Sequence, residues 1–169
     1  MIRNLVQADY DQVISIVNEN WKQQYAGYVS SSLLNETGCH ERTEKMKREF
    51  ISGHFQEYVW EENGEAVALL SIGPTADVDK PDAFEIWRVY VSYDEQGKGI
   101  GKRLLDFGEQ KAIESGYQEI VIWAFRENHK AISFYRRNGY VLDQEVYLDE
   151  PYHAWGVRLV KEIGSAGDF

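Results

Sequence analysis

Three sets of residues in this chain have the types and spacing to do chemistry. Gly97, Gly99 and Gly101 recur at every second position in Gln96-Gly97-Lys98-Gly99-Ile100-Gly101, just after the apolar stretch 84–91. Glycines at this spacing let backbone approach a ligand closely, and the first N–H groups of a helix opening there have no partner within it. Such a terminus holds an anion, above all a phosphate or pyrophosphate. Tyr135 has a phenol that can give a proton, and Glu85 has a carboxylate that can take one.

The loop is not a Walker loop, because no Gly-x-x-x-x-Gly-Lys-Ser/Thr string exists in the chain. Nor is it the dinucleotide fingerprint, since Lys102 stands where the third glycine belongs. A glycine turn without a ligand is the plain alternative, so the surrounding elements have to decide.

Residues 84–91 are rich in aromatic and β-branched types and read as a buried strand. Ile100, Leu104, Leu105, Gly108 and Ala112 then give one face of a helix that runs to about residue 115 and stops at Gly116. Residues 117–125 form another apolar strand, parallel to the first because a helix connects them. Before this unit, residues 2–6 read as a strand. Asp9 and Gln12 make a capping-box pattern, and Tyr10, Ile14, Val17 and Trp21 give a helix to about residue 21. Residues 30–40 read as a loop and 42–53 as a second helix. Residues 55–61 and 65–72 are strands around Asn63-Gly64, a favoured hairpin turn. Residues 73–82 are a polar loop. Beyond 125, Asn128 is an N-cap for a helix ending at Asn138-Gly139, and residues 140–148 and 153–161 are closing strands. The order is βααβββαβαββ, an α/β fold with a mixed, mostly antiparallel sheet flanked by helices. At 169 residues, with no repeats or linkers, one domain spanning 1–169 is expected.

The string Gln-x-x-Gly-x-Gly resembles the coenzyme A pyrophosphate loop of the GNAT-type N-acetyltransferase superfamily. The string Asn-x-x-Ala-x-x-x-Tyr-x-x-x-Gly-aromatic, here Asn128, Ala131, Tyr135, Gly139 and Tyr140, resembles that family's second cofactor motif. It starts 32 residues beyond Gln96 with one strand between, as the family requires. The resemblance covers nearly the full length and includes the element order.

That resemblance implies acetyl-coenzyme A as cofactor and an amine as acceptor. Gln96, Gly97, Lys98, Gly99, Ile100, Gly101 and Lys102 would hold the pyrophosphate. The backbone of Val89, Tyr90 and Val91 would pair with the pantetheine arm, the Val91 N–H facing the thioester oxygen. Asn128 and Ala131 would contact the arm, and Tyr135 would protonate the departing thiolate. Glu85 lies 11 residues before Gln96, the spacing of the base in the histone-acetylating branch. Strand parity sets it beside Trp87, Val89 and Val91 unless a bulge resets the alternation, and water can serve as base instead. The region after the first helix lines the acceptor pocket in this family, so Trp21, Tyr25 and Tyr28 are substrate contacts. Trp123 is a further aromatic for a narrow pocket.

Composition sets limits. The formal charge is −10, which disfavours nucleic acid or anionic membrane as a partner. No apolar run approaches the roughly 20 residues of a membrane span, and the first residues do not open a signal peptide, so a cytoplasmic protein is expected. Cys39, the single cysteine, excludes an internal disulfide and a cysteine metal cluster, and no metal site is expected. Residues 81–140 hold nine acids and nine bases, so all the net negative charge lies elsewhere, in segments expected to shape the acceptor side. A small cationic primary amine is the resulting expectation for the acceptor. Alternatives are a peptide α-amine or lysine acceptor, and a non-catalytic acyl-coenzyme A module. A homodimer is compatible with all three.

Overall fold

The computed structural model describes residues 1–164. Its strands are β1 (Ile2–Asn4), β2 (Gln56–Glu62), β3 (Glu65–Pro74), β4 (Phe84–Val91), β5 (Glu119–Phe125), β6 (Val141–Leu148) and β7 (Ala154–Glu162). Its helices are α1 (Tyr10–Gln24), α2 (Glu36–Ser52), α3 (Ile100–Glu114) and α4 (His129–Arg137). One seven-stranded sheet runs in the order β1-β2-β3-β4-β5-β7-β6, antiparallel everywhere except between β4 and β5.

Periodicity determines which helix covers which face. Val13, Ile14 and Val17 of α1 and Met46 and Phe50 of α2 pack on Val59, Ala66 and Leu69. Leu104, Leu105 and Ala112 of α3 pack on the other face with Leu70, Ile72, Ile86 and Ile120. The second helix begins at Glu36, six residues before the position expected from the sequence, and the 30–40 loop is shorter accordingly. Asn35 is the reason: its side chain accepts the Gly38 N–H at 2.9 Å and caps the helix. Gly38 permits that turn, since a Cβ there would collide with the backbone of Ser32 and Leu33.

Two irregularities in β4 shape everything around it. The β4–β5 ladder has only the pairs Phe84↔Ile120 and Glu85↔Val121, beyond which the strands splay apart. Against β3, Ser71 pairs with Arg88 and Ile72 with Ile86, so Trp87 is the extra residue of a β-bulge. The bulge resets the alternation. Phe84, Ile86, Val89 and Val91 join the core under α3, while Tyr90 joins the α1–α2 side. Unbroken parity, which sets Glu85 beside Val89 and Val91, is therefore corrected: Glu85 faces away from them.

Candidate active site

The splay between β4 and β5 opens a cleft of about 340 Å³. Its lining includes Val89, Tyr90 and Val91 on one wall, Trp123 and Ala124 on the other, and the Gln96–Lys102 loop and α4 at its ends. Ser92 donates to the Val67 carbonyl of β3 at 2.8 Å. By strand alternation, the N–H and C=O groups of Val91 and Val89 point away from β3, into the splay. The Val91 carbonyl is taken by side chains: Asn20 Nδ2 and Gln96 Nε2 both donate to it at 3.1 Å. Gln96 Nε2 also reaches Asn20 Oδ1 at 3.3 Å, and Lys130 Nζ donates to Gln96 Oε1 at 3.0 Å.

The loop itself leaves its anion-binding groups free. Gly97 and Gly99 have φ of 79° and 85°, a left-handed backbone in which side chains are strained. Gly99 is the N-cap of α3, and the first-turn amides after it have no intrahelical acceptor. Asn128 accepts the Ala131 N–H at 3.3 Å and so caps α4 while lining the cleft. Lys102, Lys130 and Arg137 add positive charge to a lining that holds one carboxylate, Glu95.

Tyr135 on α4 is buried and lines this cleft. Burial, with a smaller contribution from Tyr90, pushes its phenol above the ordinary range, so it holds its proton at neutral pH. Tyr25 lies beside Tyr90, hydroxyl to hydroxyl at 3.4 Å. Burial raises Tyr25 as well, with Tyr90 and Tyr135 contributing. Tyr25 and Tyr135, both held in the protonated form, thus border the point where the strands part.

A second cleft, of about 730 Å³, lies between α1, α2 and β4. Trp21, Leu33, Met46, Phe55 and Tyr152 give it apolar walls, and it shares Trp87, Arg88 and Tyr90 with the first cleft. Ser30 donates to the Tyr152 carbonyl at 3.1 Å and so joins the α1–α2 and β6–β7 loops beside it. The acidic excess of the sequence does not line this cleft. Arg42, Lys45, Arg48 and Arg88 face it with only Glu41 and Glu49.

The expected substrate contacts divide between these surfaces. Trp21 lines the second cleft, whereas Tyr25 and Trp123 line the first. Trp123 Nε1 donates to Asp77 at 2.9 Å. Asp77 is itself held with Asp79 and Asp143 by the buried Arg158, at 3.1, 2.7 and 2.6 Å. Tyr28 lines neither cleft. It packs on Phe125, and its buried hydroxyl has no hydrogen-bond partner among the described residues. Glu85 also lines neither. It is 3 % exposed and accepts the Thr75 hydroxyl at 2.7 Å. Burial, helped by Asp77, pushes its carboxyl up to about 8 against the opposing Thr75 hydrogen bond.

Sequence reasoning overlooked Asn20, Lys130, Phe134 and Arg137, which also line the first cleft. Asn20 left a signal, as a polar residue on the apolar face of α1 with Val13, Ile16 and Val17. No group of three or more His, Cys, Asp or Glu side chains suited to a metal occurs among the described residues. No helix among them is long and apolar enough to cross a membrane.

Known proteins are similar to this chain in sequence and in fold. A probable N-acetyltransferase of Mycobacterium tuberculosis is 26% identical over 153 residues, covering 89% of this chain and 84% of its own. A spermidine N(1)-acetyltransferase of Thermoplasma acidophilum is 27% identical over 153 residues, covering 84% and 88%. The crystal structure of PaiA N-acetyltransferase from Thermoplasma acidophilum with coenzyme A superimposes with a TM-score of 0.78 at 23% identity, over 96% of this chain and 98% of that one. The family model "Acetyltransferase (GNAT) family" matches residues 16–140. The open strand edge, glycine-rich loop and cationic lining of this chain suit acetyl-coenzyme A, the cofactor of that family, and the chain belongs to the GNAT acetyltransferases as an N-acetyltransferase.

Proposed function

We propose that the chain moves an acetyl group from acetyl-coenzyme A to the primary amine of a small molecule by direct attack. The observation that carries this reading is the meeting of two clefts at Trp87, Arg88 and Tyr90. One is narrow, with strand edge and helix amides open to a phosphate-bearing chain. The other is aromatic-walled and within the roughly 300–1,000 Å³ usual for small-molecule sites.

Acetyl-coenzyme A supplies a thioester acetyl group. The outward amides of Val89 and Val91 pair with its arm, and the Val91 N–H donates to the oxygen on which charge develops. The Gln96–Lys102 loop and the α3 amides hold its pyrophosphate. Tyr135, protonated at neutral pH, gives its proton to the leaving sulfur. Glu85 lies outside both clefts and is protonated at pH 7, so water takes the amine's proton in this reading. The spermidine relative favours a cationic acceptor; the lining of the second cleft favours the opposite.

The test is free-thiol release from acetyl-coenzyme A across a panel of small primary amines, with the N-acetyl product identified by mass. Release that depends on an amine is the expected result. Coenzyme A binding with no release for any amine, and with acetylation of peptides absent too, would leave only a non-catalytic binding module.

A further inference from the structure

We infer that the acceptor carries an anionic group, a carboxylate or its equivalent, that binds Arg42, with Lys45 and Arg48 adding charge at the rim of the second cleft. The inference rests on the transfer reading above and deepens it by naming the acceptor's chemistry.

Arg42 carries the argument. It is half-buried and lines the cleft, with its guanidinium 4.1 Å over the Trp21 ring. All its close partners are neutral. Nε donates to Asn18 Oδ1 at 2.8 Å, Nη1 and Nη2 donate to the Leu33 carbonyl at 3.1 and 3.0 Å, and Nη2 lies 3.7 Å from the Cys39 sulfur. It makes no ion pair among the described residues, and burial lowers its pKa because the charge is partly desolvated without a counterion. These bonds fix the planar guanidinium and leave one Nη1 N–H unspent, so a carboxylate would bind through a single charge-assisted hydrogen bond on a pre-oriented cation.

The rest of the lining adds to this charge. Arg88 is balanced, since Nη2 reaches both oxygens of Glu49 at 3.1 and 2.9 Å and Nη1 lies 3.7 Å from Glu57. Lys45 and Arg48 stand exposed on the same side of α2 and make no ion pair among the described residues. Glu41, also exposed, is the one carboxylate left against them, and His54, Tyr90 and Tyr152 complete the titratable lining. In a chain of net charge −10, such a cleft is selective: it attracts an anion and repels a polyamine. The apolar walls take the acceptor's body, and the amine lies toward Tyr90, where the two clefts join.

Matched pairs test this: each common L-amino acid against its carboxamide, which keeps the amine and body and removes the charge, with spermidine alongside. Calorimetric titration into coenzyme A-saturated protein reads binding without turnover. For the best-binding body, the carboxylate member binds at least tenfold tighter than the amide. That ratio falls toward one in Arg42→Gln. It also narrows in the double variant Lys45→Glu, Arg48→Glu, whose exposed side chains leave packing untouched if Arg42→Gln fails to fold. Amides binding as well as their acids, spermidine binding tightest, no carboxylate binding, or a ratio unmoved by the folded variants would each overturn the inference. Thiol release is read separately: carboxylate-dependent binding without release overturns the transfer reading and leaves the anion site standing.

Discussion

The two clefts that meet at β4 are built from different material. The first offers a ligand backbone groups as well as side chains: the outward edge of Val89–Val91, the amides after Gly99, and a loop whose glycines permit close approach. The second is made of side chains from α1, α2 and the loops around them, with Trp21, Arg42 and Phe55 among its walls. A backbone site accepts a constant ligand and must keep particular residue types to keep its conformation. A side-chain site changes its ligand by changing residues on an unchanged helix. In the proposed reading cofactor and acceptor have separate determinants, and the two clefts share Trp87, Arg88 and Tyr90.

The largest effect that would test this division belongs to Tyr135, which lines the first cleft and in the proposed reading acts on chemistry rather than binding. Tyr135→Phe keeps the ring and its packing against Phe134 and Tyr140 but deletes the proton. Turnover is expected to fall by roughly 10² to 10⁴, with coenzyme A affinity little changed by calorimetry. Unchanged turnover would make Tyr135 a wall residue and leave the thiolate to water.

Glu85 sits at the last β4–β5 pair, at the vertex of the splay. Its folded carboxyl, at about 8, lies above the ordinary 4.5, so the native state binds its proton more tightly than the unfolded chain. Stability from this group is therefore undiminished below about pH 4.5 and falls as pH rises to about 8, then levels off. Glu85→Gln removes that penalty. Urea unfolding is expected to show the variant roughly 2–4 kcal/mol more stable at pH 9, with little difference at pH 4.5 and turnover retained. A catalytic base would show the same stability change but lose turnover, so turnover is the discriminating measurement.

Gly99 tests the backbone nature of the first cleft. A Cβ there meets nothing within 4 Å, so steric room is not the constraint; the φ of 85° is. Gly99→Val is expected to shift the loop and weaken acetyl-coenzyme A binding at least tenfold, or about 1.4 kcal/mol, in a protein that still folds. Carboxylate-over-amide preference in the second cleft should persist. Unchanged cofactor affinity in a folded variant would remove the loop assignment.

The first cleft was the more legible in the sequence because backbone requirements leave marks on residue type. Only glycine readily takes the left-handed positions 97 and 99, and Asn128 is recognisable as a cap by its place before an apolar periodicity. The bulge at Trp87 left no such mark, since an extra residue in a strand is set by the partner strand's register. The early start of α2 rests on Asn35 and Gly38, which in isolation read as loop residues. The charge of the second cleft was not legible, because net charge over a segment does not say which helix face carries it. Residues 1–80 are acidic in sum, yet α2 turns Arg42, Lys45 and Arg48 toward the cleft.

Asn20 offers the smallest effect and the finest test, because it reaches from α1, a wall of both clefts, to the end of β4. Its Nδ2 donates to Ile16 and Val91 carbonyls at 2.9 and 3.1 Å, and its Oδ1 accepts from Gln24 and Gln96 at 2.9 and 3.3 Å. Asn20→Ala leaves Gln96 still donating to the Val91 carbonyl, so the strand end keeps one of its two braces. Of the four hydrogen bonds lost, the one to the Val91 carbonyl braces the strand end directly; at about 0.5–1.5 kcal/mol for that bond, coenzyme A affinity is expected to weaken only about two- to tenfold. Gln96→Ala alone should behave similarly. The double variant strips both donors from the Val91 carbonyl, and its loss of affinity should exceed the sum of the single losses by roughly 0.5–1 kcal/mol. Strict additivity in that cycle would mean that Asn20 and Gln96 act on the cofactor separately, and that the helix walling the acceptor cleft does not brace the strand that binds the cofactor.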